Sequence, residues 1–118
     1  MTWVDVADES TVQEGPARIV VVEGKEIGLI RWRERVYAVR NFCGHAGAPI
    51  AQGRVFPGVT CSAPGERPEA VPDAPELRCP WHHWGFDLST GACTSPVRRP
   101  RLKVYPVAIR DGRISVNI

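Results

Sequence analysis

Apolar and polar positions alternate in short runs at both ends of the chain. Ile114, Val116 and Ile118 alternate with Arg113, Ser115 and Asn117, the two-residue period of a strand with one buried face. Runs of this kind predict strands at Trp3–Val6, Arg18–Val22, Glu26–Trp32, Val36–Arg40, Leu102–Ile109 and Arg113–Asn117. Glu23-Gly24-Lys25 and Arg33-Glu34-Arg35 join three of these as a meander. Asp111-Gly112 suits the last hairpin, because glycine takes positive φ without a Cβ clash. Pro106 has no amide to donate, so its strand belongs at an edge or carries a bulge. Trp3 and Trp32 fall in strand patterns and are expected in the core. No stretch keeps a 3.6-residue apolar period, and eleven Gly with eleven Pro leave no room for a long helix.

The middle of the chain, residues 43–96, reads differently. It holds all four cysteines and all three histidines. Short strands are predicted at Leu77–Cys79 and Gly85–Leu88, followed by a turn at Ser89-Thr90-Gly91. Phe56–Glu76 contains Pro57, Pro64, Pro68, Pro72 and Pro75 together with Glu66, Glu69, Asp73 and Glu76. That composition predicts an irregular, solvent-facing loop. The expected organisation is one domain over residues 1–118: a β base from about 1–42 and 97–118, an inserted part at 43–96, and a proline-rich insertion at 56–76.

Composition narrows the function classes. A chain of 118 residues buries about two-thirds of its unfolded surface, enough for one modest core and too little for a deep substrate cavity of its own. With 43% apolar and 24% charged residues it is a globular domain, not a disordered one. A net charge of +2 gives no footprint for nucleic acid. The longest aliphatic run, Ile19–Val22, is far too short for a bilayer, so no membrane association is expected. Met1-Thr2-Trp3-Val4-Asp5 lacks the basic and apolar regions of a secretory signal, so a cytoplasmic location is expected. In a reducing compartment four cysteines read as ligands or free thiols.

Two motifs carry chemistry: Cys43-Gly44-His45 and Cys79-Pro80-Trp81-His82. Each sets one sulfur and one imidazole on a tight loop marked by Gly or Pro. Two such loops make a Cys₂His₂ set, which zinc accepts. Structural zinc sites usually draw a Cys pair from one knuckle and a His pair from another, whereas here each loop gives one of each. A mixed pair suits a dinuclear iron–sulfur cluster, with two sulfurs on one iron and two imidazoles on the other.

At these residues the chain resembles the Rieske iron–sulfur proteins, most of all the small soluble Rieske-type ferredoxins. The matching text is Asn41-Phe42-Cys43-Gly44-His45-Ala46-Gly47-Ala48-Pro49-Ile50 and Leu77-Arg78-Cys79-Pro80-Trp81-His82-His83-Trp84-Gly85-Phe86-Asp87. The resemblance implies an all-β fold, a small antiparallel β-sandwich or barrel with an inserted cluster-binding subdomain of two loops. It implies one [2Fe–2S] cluster, with Cys43 and Cys79 on the inner iron and His45 and His82 on the outer iron near the surface. Such a centre is neutral when oxidised: two ferric ions, two sulfides and two thiolates cancel. An all-thiolate cluster is more negative and harder to reduce. The implied task is one-electron transfer from a flavin-dependent reductase to a terminal oxygenase or a reductase large subunit, with no small-molecule substrate and no catalytic residue of its own.

Departures from the family pattern refine this picture. Respiratory Rieske proteins add a disulfide cysteine to each cluster loop; Ala48 and Trp81 stand at those positions. Trp84 replaces a serine that donates to the cluster there. Fewer donors imply a potential at the low end of the Rieske range, about −150 mV. His83 stands where the ferredoxins usually have glycine, and it reads as a packed or exposed imidazole beside the ligand His82. The 33 residues between His45 and Cys79 exceed the usual spacer, and the proline-rich insertion accounts for the excess. Cys61 and Cys93 sit at neither ligand nor disulfide positions and read as ordinary thiols. Ala46, Ala48, Pro49, Trp81 and Pro96 are expected to surround the cluster, excluding water or forming a weakly apolar docking patch. Arg98, Arg99, Arg101 and Lys103 form the one basic run, either a solvated strand face or a surface that steers an acidic partner. Two other readings remain open on sequence alone. One is the small subunit of a nitrite reductase or similar complex, a class that also resembles Rieske domains. The other is a zinc-stabilised binding module, which predicts a colourless protein with one metal and no labile sulfide.

Overall fold

The computed structural model describes residues 2–42, 49–60, 69–80, 85–93 and 101–118. Among them ten strands form three antiparallel sheets. They are β1 (Trp3–Asp8), β2 (Arg18–Val22), β3 (Lys25–Trp32), β4 (Arg35–Arg40), β5 (Arg54–Thr60), β6 (Glu69–Arg78), β7 (Gly85–Asp87), β8 (Val104–Tyr105), β9 (Val107–Arg110) and β10 (Arg113–Asn117). Among the described residues helix is confined to single 3₁₀ turns at Glu9–Thr11 and Ile50–Gln52. No helix among the described residues is long and apolar enough to cross a membrane.

The base consists of two sheets, ordered β1-β10-β9 and β2-β3-β4-β8. Their facing sides enclose Ile27, Leu29, Val36, Ala38, Ile114 and Val116. The period-two reading of β10 holds, with Ile114 and Val116 fully buried. Asp111 and Gly112 both adopt positive φ, 49° and 74°, the primed turn that matches strand twist. Glu23 and Gly24 do the same between β2 and β3, at 51° and 76°. Pro106 breaks the expected Leu102–Ile109 strand in two: β8 pairs with β4, and β9 passes over to β10 in the other sheet. The missing amide thus falls where the chain changes sheets.

Two expectations need correction. Trp3 is not core but 51% exposed. In β1, Ala7 is buried in the base core and Val4 and Val6 pack against it, while Trp3 and Asp5 lie on the outer face; Trp32 is half-buried. Phe56–Glu76 is not an irregular loop in its described parts but two arms of a β-ribbon. Arg54, Val55 and Phe56 pair with Arg78, Leu77 and Glu76, and Gly58, Val59 and Thr60 pair with Val71, Ala70 and Glu69. Between these ladders Pro57 stands opposite the stretch 72–75. Pro72 and Pro75 sit in this wide bulge, where no ladder donor is required. Pro75 is fully buried, and its carbonyl accepts from the Leu88 amide at 3.0 Å. Cys61 and the rest of 61–68 lie outside the described residues.

The third sheet, β5-β6-β7, packs against the opposite face of β3 and β4. Ile30, Val39, Ile50, Leu77, Phe86, Leu88 and Leu102 form this second core. Both faces of the central sheet are therefore covered, one by the base and one by the part that carries the motifs.

Candidate metal centre

Each motif-bearing loop springs from an anchored pair of ends. Past β4 the Asn41 amide donates to the Glu26 carbonyl at 2.9 Å, and the Phe42 amide donates to the Arg40 carbonyl at 2.8 Å. Asn41 Oδ1 accepts from the Ala51 amide at 2.9 Å, which closes the chain before Cys43 onto the 3₁₀ turn after Ala48. That turn seats on β3 at Gly28, where an added Cβ would lie 2.5 Å from Ala51 Cβ. The second loop, residues 79–84, is closed by pairing of Arg78 with Gly85.

The described backbone after the first motif segment and before the second is in close contact. A Cβ on Gly53 would stand 1.8 Å from the Arg78 carbonyl oxygen. Gly53 has φ −72° and ψ 177°, open to any residue, so glycine is needed here for proximity alone. Arg78 is the residue before Cys79. Its guanidinium covers the Phe56 ring at 4.5 Å, and its Nε donates to Glu76 Oε1 at 3.3 Å. Both contacts fix the end of β6 that delivers the cysteine.

Cys79 carries a free, fully buried thiol packed with Leu77, Phe86 and Leu88. This burial fits a sulfur that is either a metal ligand or an inert packed thiol. Cys43, His45 and His82 lie outside the described residues, as do Ala46, Ala48, Trp81, His83, Trp84, Pro96, Arg98 and Arg99. Pro49 is half-buried beside the first loop. Cys93 is a free, half-buried thiol that pairs through its backbone with Phe86 and packs on the second core. A third crossing closes the segment 94–100. The Leu102 amide donates to the Gly91 carbonyl at 2.8 Å, and Ala92 bridges to Arg101. Gly91 needs its φ of +80° and has no room for a side chain, since a Cβ would lie 2.1 Å from the Leu102 oxygen.

The sequence motifs alone did not single out Asn41 or Gly53 as anchors. The signals were an amide side chain just before the loop and a glycine just after a one-turn helix. In the base core, burial pushes the Tyr105 phenol above its ordinary value, partly offset by the Arg40 charge. The donor set of two thiols and two imidazoles, with Cys79 already sheltered from water, fits an iron–sulfur cluster held half by sulfur and half by nitrogen.

Comparison with known proteins agrees. The sequence profile of the Rieske [2Fe-2S] domain matches residues 2–106. The ferredoxin component of a naphthalene 1,2-dioxygenase system from Pseudomonas putida is 30% identical over 98% of this chain and 95% of its own. Among solved structures, the ferredoxin of carbazole 1,9a-dioxygenase from Nocardioides aromaticivorans superposes with a TM-score of 0.76 at 28% identity, covering 98% of this chain and 97% of that one. A putative NADH-dependent nitrite reductase small subunit from Mycobacterium tuberculosis superposes with a TM-score of 0.74 at 25% identity, over 98% and 93% of the two chains. The profile match, spanning both motifs and the strands that anchor them, places this chain in the Rieske [2Fe–2S] family, whose members carry one such cluster.

Proposed function

We propose that this protein is a one-electron carrier that accepts an electron from a flavin-dependent reductase and delivers it to a terminal oxygenase in the cytoplasm. Cys43 and Cys79 hold one iron of its cluster, and His45 and His82 hold the other. When bound, the cluster supplies reversible one-electron chemistry with no proton or group transfer required of the protein. The chain's own residues hold Gly53 against Arg78 and bury the Cys79 sulfur. The observation that supports the reading is the close approach of Gly53 to the Arg78 carbonyl, which joins the chain just after the first motif segment to the residue just before Cys79.

The test is visible absorption and EPR after dithionite reduction. A brown protein with a rhombic signal, at an average g below that of all-thiolate clusters, is the expected result. Alanine variants of Cys43, His45, Cys79 and His82 should each lose it. A colourless protein with one zinc, even after anaerobic iron–sulfide reconstitution, overturns the reading. The nitrite-reductase-type neighbour supports a second reading, a small subunit of a larger oxidoreductase. Stable co-purification with a catalytic subunit would favour that over a freely diffusing carrier.

A further inference from the structure

Arg40 ends β4 two residues before the phenylalanine that leads into the first motif. Its amide donates to the Lys103 carbonyl at 2.9 Å, which continues the Val39–Val104 pairing by one step and sets Arg40 opposite Lys103. Like charges opposed across a ladder repel and destabilise the pair. Among the described residues no carboxylate pairs with either, the ion pairs being Arg31–Glu9, Arg78–Glu76 and Arg113–Asp5. Both cations instead lie over rings, Arg40 over Phe42 at 5.3 Å and Lys103 over Tyr105 at 5.6 Å. Phe42 is 51% exposed and immediately precedes Cys43. Arg101, exposed and bound to the Thr90 carbonyl at 3.2 Å, lies two residues before Lys103 and extends the positive strip.

We infer that Arg40, Phe42, Lys103 and Arg101 form a docking patch for a redox protein whose electron-transfer surface is lined with carboxylates, and that this protein is the electron donor. The inference rests on the electron-carrier reading and on Cys43 as a cluster ligand. A carboxylate set between Arg40 and Lys103 relieves their repulsion, and the exposed Phe42 ring offers the apolar contact of a small transient interface. The choice of donor follows from charge. The centre is neutral when oxidised and gains one negative charge when one electron arrives from the donor; no bond forms or breaks. An acidic surface is therefore held better by the oxidised carrier, the form a donor meets, and released by the reduced carrier.

The test uses a fluorescent decaglutamate peptide and the intact holoprotein at low salt, read by anisotropy. The oxidised protein should bind about twofold more tightly than the reduced one, as expected for one charge about 10 Å away in a largely aqueous environment. Arg40→Glu with Lys103→Glu should weaken binding about tenfold or more, with the difference gone at high salt. Arg110→Glu, at the far end of β9, should change it little. Unchanged binding in the double variant overturns the patch, and tighter binding by the reduced protein overturns the donor assignment. Failure of the ligand reading shows separately: Cys43→Ala would then keep its iron, sulfide and EPR signal while peptide binding follows the predicted pattern.

Discussion

Replacing Gly53 by alanine places a methyl group 1.8 Å from the Arg78 carbonyl oxygen, 2.9 Å from its carbon and 3.0 Å from the Ile50 oxygen. All three neighbours are backbone, so no side chain can swing aside. Ordinary contact needs about 1.5 Å more, and that distance must come from moving the 3₁₀ turn away from the end of β6. The φ and ψ of Gly53 suit alanine, so the cost is steric, about 1–3 kcal/mol as for other overpacked sites. Gly112 is the internal control. It has φ +74° and nothing within 4 Å of its added Cβ, so Gly112→Ala costs about 1 kcal/mol through backbone strain alone. Urea unfolding gives the stabilities, and iron, sulfide and EPR give the state of the centre. Gly53→Ala should lose both stability and cluster occupancy, and Gly112→Ala should lose only stability. A Gly53→Ala protein within about 0.5 kcal/mol of the parent, with full cluster content, refutes the idea that this contact sets the spacing of the loops.

Other expectations follow from single contacts. Asn41→Ala leaves the partly buried Ala51 amide without its acceptor and should cost about 1–2 kcal/mol by chemical denaturation, with faster exchange of that amide. Cys79→Ser should abolish the visible absorption while Cys93→Ser retains it; equal loss in both would remove the distinction between ligand and packed thiol. The Arg113 guanidinium donates to Asp5, which holds that carboxyl below its ordinary value. A carboxyl lowered in the folded state stabilises above its unfolded value and loses that contribution as pH falls through the folded value, below about pH 4. Carbon-13 NMR should show the Asp5 titration rising towards the ordinary range in Arg113→Ala, and an unmoved midpoint would exclude the pair. Both groups are exposed, so added salt should shrink the effect.

Much of the architecture was legible from periodicity. β2 and β10 begin and end at the predicted residues, and Asp111-Gly112 forms the predicted turn, because edge and hairpin signals are local. The ribbon was not legible. Its prolines argue for a loop, and only the bulge opposite Pro57 reveals that the pairing resumes beyond them. Trp3 was misplaced because its size outweighed its parity with Asp5, the residue that marks the outer face of β1. At the site the candidate ligands were proposed from their chemistry, but the anchors around them were not. Gly53 matters through a carbonyl twenty-five positions along the chain, and Arg40 through a lysine on a strand that local patterning cannot pair with it.

The central sheet has a consequence for assembly. β3 and β4 send Ile27, Leu29, Val36 and Ala38 into one core and Ile30 and Val39 into the other. The first core closes without either motif, through β10 and its hairpin. Because the two cores are separate, the face that packs Leu77 and Phe86 should open at a different free energy from the base. A cluster held by Cys79 at the edge of the second core would stabilise that side more than the base. Amide exchange in the cluster-free protein should be slow in β3 and β10 and fast in β7, a gradient that cofactor loading erases.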